Sequence, residues 1–151
     1  GRASFNAEIT RHVSRAGKRL ATDRKEDKKS QAMNIEEVRE YGLSLPHATE
    51  RCPFGPDTLT LEIGGRMFCL MTLDGRWDFY NLKIDPDYSI ELRDRFTGIR
   101  PGFHQNKRHW VSVDFYGDVP DSLQRELIYH SYCQAASKLP KKIRKELGFD
   151  H

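Results

Sequence analysis

The sequence predicts an α+β fold, a two-layer sandwich in which helices cover one face of an antiparallel sheet. Three observations carry it. Two short turn signals, Gly64-Gly65 and Asp74-Gly75, separate three apolar-rich runs, the pattern of an antiparallel meander. The first run, Thr58-Leu59-Thr60-Leu61-Glu62-Ile63, alternates polar and apolar residues, so one face of the sheet is buried and the other solvated. Helical spacing appears before and after the meander, giving the order helix, three strands, helix, strand, helix, helix.

Asn34 is a good N-cap for the first helix, with Glu36 and Glu37 in its first turn and Ile35, Val38 and Tyr41 or Leu43 at helical spacing. Pro46 ends it near Leu45. Residues 48–56 read as a loop; two prolines and a glycine in Cys52-Pro-Phe-Gly-Pro56 make a stiff turn with Phe54 pinned into the core. Met67 to Leu73 is the returning strand and Trp77 to Lys83 the third. Asp85 caps a second helix with Pro86 at its tolerated first position, running through Tyr88, Leu92 and Phe96 to Gly98. Ile99 to Asn106 reads as irregular. Trp110, Val111, Val113 and Phe115 mark a further strand. Pro120-Asp121 starts a long helix through Leu123, Leu127, Ile128, Tyr132 and Ala135, broken at Leu139-Pro140. A short basic helix from Lys141 to Leu147 finishes the fold.

The 151 residues suit about one domain, and 37% hydrophobic with 11% aromatic content is too much for a wholly disordered chain. The formal charge of +3 is two opposing numbers. Residues 1–32 carry nine Lys/Arg against four acids, a net of +5; residues 33–151 carry sixteen against eighteen, a net of −2. The segment 1–32 therefore reads as a basic extension, either a solvated tail, a basic binding arm, or sequence upstream of a native start at Met33; residues 33–151 read as the domain. A basic isoelectric point thus argues little for nucleic-acid binding by the domain itself. No run of about 18 apolar residues and no secretory h-region occurs, so a cytoplasmic, membrane-free protein is expected. Cys52, Cys69 and Cys133 are odd in number and widely spaced, fitting neither a disulfide framework nor a metal knuckle.

No GxGxxG, P-loop, GxSxG or HExxH motif occurs, so the expectation is a non-enzyme without cofactor. His104 and His109 have no third ligand nearby in sequence, and no metal is expected. Two basic clusters stand out. In His104-Gln-Asn-Lys-Arg-His-Trp110, Lys107 and Arg108 suit phosphates, Trp110 or Phe103 suits base stacking, and Gln105 and Asn106 suit base edges; Trp110 equally suits the core. In the second, Pro140 puts Lys141 and Lys142 at the start of the last helix, where the macrodipole disfavours cations, with Arg144 and Lys145 behind them. Gly64-Gly65-Arg66 is better explained as a hairpin than as a phosphate cradle.

An ordered series of motifs resembles the MmcQ/YjbR family: Cys52-Pro-Phe-Gly-Pro-Asp57, Gly64-Gly-Arg-Met-Phe68, Asn81-Leu-Lys83, Asp85-Pro86, Pro101-Gly-Phe-His104, Asn106-Lys107, His109-Trp110, Ser131-Tyr132 and Leu139-Pro-Lys-Lys142. The resemblance spans Met33 to Arg144 and leaves out residues 1–32. It implies a fold similar to bacterial frataxin (CyaY-like), with a "double-wing" DNA-binding label attached to it. The first helix offers only Glu36, Glu37 and Glu40 as an acidic ridge, so iron binding is not carried over.

Two functions follow as expectations. One is a monomeric DNA-binding module contacting phosphate through Lys107, Arg108, His109, Trp110, Lys141, Lys142, Arg144 and Lys145. The other is a small-molecule or protein-binding module whose Asn81, Lys83, His104 and Asn106, with Lys107 and His109, line a polar pocket on the open sheet face. Convergence on one concave site favours the second; a spread over a convex surface favours the first.

Overall fold

Asn34 caps the first helix as its residue type dictates: its Oδ1 accepts from the Glu37 N–H at 2.9 Å, and the Glu37 carboxylate accepts from the Asn34 N–H at 3.4 Å. The computed structural model describes residues 33–149, so the expectations for residues 1–32 lie outside the described residues. This capping box opens α1 (Ile35–Leu43). Then come β1 (Ala48–Arg51), β2 (Thr58–Ile63), β3 (Arg66–Thr72), β4 (Phe79–Lys83), α2 (Pro86–Arg95), β5 (Ile99–Pro101), β6 (Trp110–Asp114), α3 (Asp121–Ser137) and α4 (Lys141–Glu146). The six strands lie in the order β1-β2-β3-β4-β6-β5, every neighbouring pair antiparallel. The fold is α+β, as the meander and its flanking helices predict.

Two strands correct the sequence reading. Residues 48–51 and 99–101, expected as loop and irregular chain, are the edge strands β1 and β5. Four and three residues with mostly exposed side chains carry no alternation to read. They are strands because β2 and β6 present unpaired backbone beside them. Phe54 is a second correction: it is 66% exposed rather than pinned in the core. Thr58 N–H donates to the Gly55 carbonyl at 3.3 Å, closing the base of that turn. Two prolines stiffen a turn without fixing which way its tip points.

The core forms where α3 crosses β3 and β4. Leu61, Phe68, Leu82, Leu127, Ile128 and Tyr132 are fully buried there. Each such side chain is worth about 1.5–3 kcal/mol in transfer free energy. Tyr80 O–H donates to Gln124 Oε1 at 2.6 Å, and Gln124 Nε2 donates to the Val119 carbonyl at 3.0 Å, so the Tyr80 hydroxyl and the Gln124 amide are satisfied in the core. The β2–β3 register slips between Leu61 and Glu62, leaving Phe68 as the extra residue, whose ring meets Tyr132 edge-on at 5.5 Å. Gly64 has φ +57°, and a Cβ there would lie 2.8 Å from Leu139 Cδ2, so the hairpin needs glycine both for its turn and for the close approach of the chain entering α4.

One departure from a regular sheet sets up the site. β3 and β4 pair only through Cys69–Leu82 and Leu70–Asn81. One residue further, where Phe68 and Lys83 would pair, Ser131 of α3 is inserted: its Oγ accepts from the Lys83 N–H at 2.8 Å and donates to the Phe68 carbonyl at 2.5 Å. A helix hydroxyl thus replaces a ladder hydrogen bond and holds the strands apart at one end of the sheet.

Candidate functional site

The parted ends of β3 and β4 border a pocket of roughly 430 Å³. Arg66 comes from the first position of β3, Lys83 from the last position of β4, and Gln134 and Lys138 from the end of α3. Asn106, His109 and Trp110 contribute from the turn that enters β6, and Asp85 and Pro86 from the start of α2. The pocket therefore lies at the end of the sheet, not over its open face as the sequence reading expected.

Three cations share this pocket with one carboxylate. Among the described residues, Arg66, Lys83 and Lys138 form no ion pair, whereas Arg39, Arg51, Arg76, Arg95, Arg100 and Arg125 each do. The Asp85 carboxylate accepts from the Tyr88 N–H at 3.2 Å, capping α2. Burial lowers the Lys83 ammonium below the usual lysine range, and Arg66 and Lys138 push it in the same direction. Lys83 has little freedom to leave, because its backbone N–H is held by Ser131 and its strand position is paired with Trp110.

The turn 102–110 is built for its own stability as well as for the pocket. Asn106 Oδ1 accepts from the Arg108 N–H at 2.9 Å, and the Asn106 carbonyl accepts from the His109 and Trp110 N–H groups at 3.2 and 2.9 Å. The His109 carbonyl accepts from the Ile84 N–H at 2.8 Å, fastening the turn to the end of β4. Lys107 Nζ donates to the Gly102 carbonyl at 3.1 Å, and Gly102 packs so closely on Trp110 that a Cβ would lie 2.6 Å from Trp110 Cβ. These links present His109 and Asn106 to the pocket.

The expected site residues divide accordingly. Lys83 and Asn106 of the pocket set line the cavity, joined by His109 and Trp110. Asn81 and His104 are not among the lining residues. Asn81 is buried, its Nδ2 donating to the Phe103 carbonyl at 2.8 Å and its Oδ1 accepting from Ser112 Oγ at 2.6 Å. His104 sits at a left-handed turn position, φ +57°, with its ring centroid 4.0 Å from that of Phe103. Trp110 is 8% exposed, which removes it as a stacking platform for bases. Lys107, Arg108, Lys141, Lys142 and Lys145 are exposed and Arg144 is half-buried; none of these six lines the pocket. The short helix α4 docks through Ile143 and Leu147, leaving its lysines on the surface.

Arg66, Gln134 and Lys138 were not among the expected pocket residues. A signal for Arg66 exists: in an antiparallel meander the first residues of one strand lie beside the last residues of the next, so Arg66 and Lys83 share a sheet end. Gln134 and Lys138 arrive only by the packing of α3.

The three cysteines are free, with Cys69 buried and Cys52 exposed. Burial pushes the Cys133 thiol up to about 11, and the Cys69 thiol well above its usual range, so neither is a ready nucleophile. Among the described residues no cluster of three His, Cys, Asp or Glu is arranged to hold a metal, and no helix is long and apolar enough to cross a membrane.

Comparison with known proteins gives a consistent result. The YjbR family model matches residues 43–134. The chain is 34% identical over 112 residues to the uncharacterised protein YbdF of Escherichia coli O157:H7, covering 74% of this chain and 92% of the relative. It is 30% identical over 115 residues to the uncharacterised protein YjbR of Escherichia coli K12, covering 76% and 98% respectively. Of solved structures, DR2400 of Deinococcus radiodurans, with its DUF419 domain, superposes with a TM-score of 0.71 at 36% identity, over 78% of this chain and 89% of that one. A Pseudomonas syringae protein shares the fold with a TM-score of 0.59 at 24% identity, over 68% and 99%. The chain belongs to the YjbR family.

Proposed function

We propose that the domain is a binding module rather than an enzyme, and that it takes an anionic small molecule, with a phosphate as the best-suited group, into the pocket between the ends of β3 and β4. One observation carries this reading: Arg66, Lys83 and Lys138 line one pocket without carboxylate partners, while Arg39, Arg51, Arg76, Arg95, Arg100 and Arg125 each meet a carboxylate. Arg66 and Lys138 act on Lys83 as like charges, and holding them together costs free energy that an anion would return. Arg66 offers a planar fork of donors, and Asn106 and Gln134 add amide groups that orient a ligand.

The test is thermal unfolding of the full chain with inorganic pyrophosphate at low and moderate salt. A saturable rise in Tm that falls with salt and is lost in Arg66→Ala supports the pocket; no rise overturns it.

Duplex DNA is the second reading, favoured by the exposed Lys107, Arg108, Lys141, Lys142 and Lys145. It shares the phosphate chemistry but uses a surface rather than a cavity. DNA titration separates the two. Salt-dependent binding that survives Arg66→Ala and is lost in Lys141→Ala/Lys142→Ala supports DNA. Absence of binding at low salt removes it.

A further inference from the structure

The pocket holds an amine unlike the other lysines of the domain. Lys107, Lys138, Lys141, Lys142 and Lys145 are exposed, whereas Lys83 is half-buried between strands whose separation Ser131 fixes. Its neighbours in the pocket, Arg66 and Lys138, are cations, and no carboxylate pairs with it. The one acid on the wall, Asp85, already accepts a backbone hydrogen bond at the head of α2. We propose that Lys83 Nζ forms a reversible imine with an aldehyde or ketone borne by the anionic ligand. The inference rests on the anion-binding reading above.

The arrangement supplies what the reaction needs. A lysine must shed its proton before it can attack, and an ammonium that is desolvated beside other cations does so more readily. Arg66 and Lys138 would hold the anionic end, so the carbonyl is delivered to Nζ instead of meeting it by chance. The Nζ lone pair adds to the carbonyl carbon as the C=O π pair moves to oxygen. The oxygen takes up the proton given up by nitrogen, and the carbinolamine then expels one water to leave the C=N bond. Amine and carbonyl go to imine and water, with no oxidant or reductant. His109, on the same wall, is an imidazole suited to passing the proton.

Pyridoxal 5′-phosphate tests this, because it joins an aldehyde to a phosphate. The full chain is incubated with it at limiting concentration, reduced with borohydride and mapped by peptide mass. The expected result is one adduct per chain at Lys83, formed severalfold faster than at any other lysine and slowed by inorganic phosphate. Lys83→Arg keeps the charge and removes the usable amine, so it should lose the adduct. Adducts spread evenly over the lysines, or labelling of Lys83 that phosphate does not slow, overturn the imine. If pyrophosphate still raises Tm in that case, the anion pocket stands alone. If pyrophosphate does not raise the Tm of the wild-type chain, the anion reading falls as well.

Discussion

On the β1–β2 side of the sheet, and again at its β5–β6 edge, arginines stand beside carboxylates. Arg39 meets Glu50 at 2.6 Å, Arg51 meets Glu62 at 3.0 Å, and Arg100 meets Asp114 at 2.6 Å. The hydrogen bond from Arg39 holds the Glu50 carboxyl below its ordinary range. At the end where β3 and β4 part, Arg66, Lys83 and Lys138 have no such partners, and burial shifts Lys83 toward losing its proton. A domain with more acids than bases has carboxylates to spare, yet among the lining residues of this pocket only Asp85 is one, and it caps α2. The contrast shows that charge balance over the whole domain says little about the potential at a cavity, where a few unneutralised groups in reduced dielectric dominate.

Substitutions can break or sharpen that contrast. The largest effect is expected from Ser131→Ala, which strands the Lys83 N–H and the Phe68 carbonyl at the parted strands; urea unfolding should register a loss of about 2–3 kcal/mol. Arg51→Ala should cost about 1–2 kcal/mol in the same assay. The Glu62 side chain is only 6% exposed and would keep Thr60 Oγ1 as its remaining partner. By contrast, Arg66→Ala should change stability by no more than about 0.5 kcal/mol, because no ion pair is lost, while abolishing the pyrophosphate-dependent rise in Tm. A destabilisation at Arg66 equal to that at Arg51 would erase the distinction between paired and unpaired cations.

The smallest effect concerns His130, whose Nε2 accepts from the Asp85 N–H at 3.1 Å next to the pocket and whose ring meets Tyr88 edge-on. Burial lowers its pKa, opposed by the Asp85 carboxylate. A base whose folded pKa lies below its unfolded value binds fewer protons folded than unfolded between the two. Stability is therefore full above about pH 6.5 and falls as pH drops through that window toward the folded pKa. Tm measured from pH 7.5 to 5 should decline modestly, and His130→Gln should flatten the decline. A Tm that rises on acidification would contradict this placement of His130.

Much of the fold was legible from local chemistry. Asn34 with Glu37, Asp85 with Pro86, and Gly64-Gly65 each act over two or three residues, and they delimit α1, α2 and the β2–β3 hairpin as read. The edge strands β1 and β5 escaped because their pairing is supplied by neighbours and not by their own pattern. The site was half legible. Lys83, Asn106, His109 and Trp110 were singled out, but Asn81 proved to build the scaffold and His104 lies against Phe103 outside the pocket, since an amide looks the same in sequence whether its hydrogen bonds go to a ligand or to Phe103 and Ser112.

The sequence by itself determined the order of the four helices and the four inner strands, the caps of α1 and α2, the tight hairpin and the split between a basic segment and a slightly acidic domain, all properties of adjacent residues. Only the tertiary structure decided which cations stand unpaired together. Arg66 and Lys83 are brought to one sheet end by antiparallel strand direction, but Gln134 and Lys138 reach it because α3 packs over that end and inserts Ser131 between the strands. Coulomb interactions depend on distance through space, and residues 72 positions apart in the chain become neighbours only when the core forms.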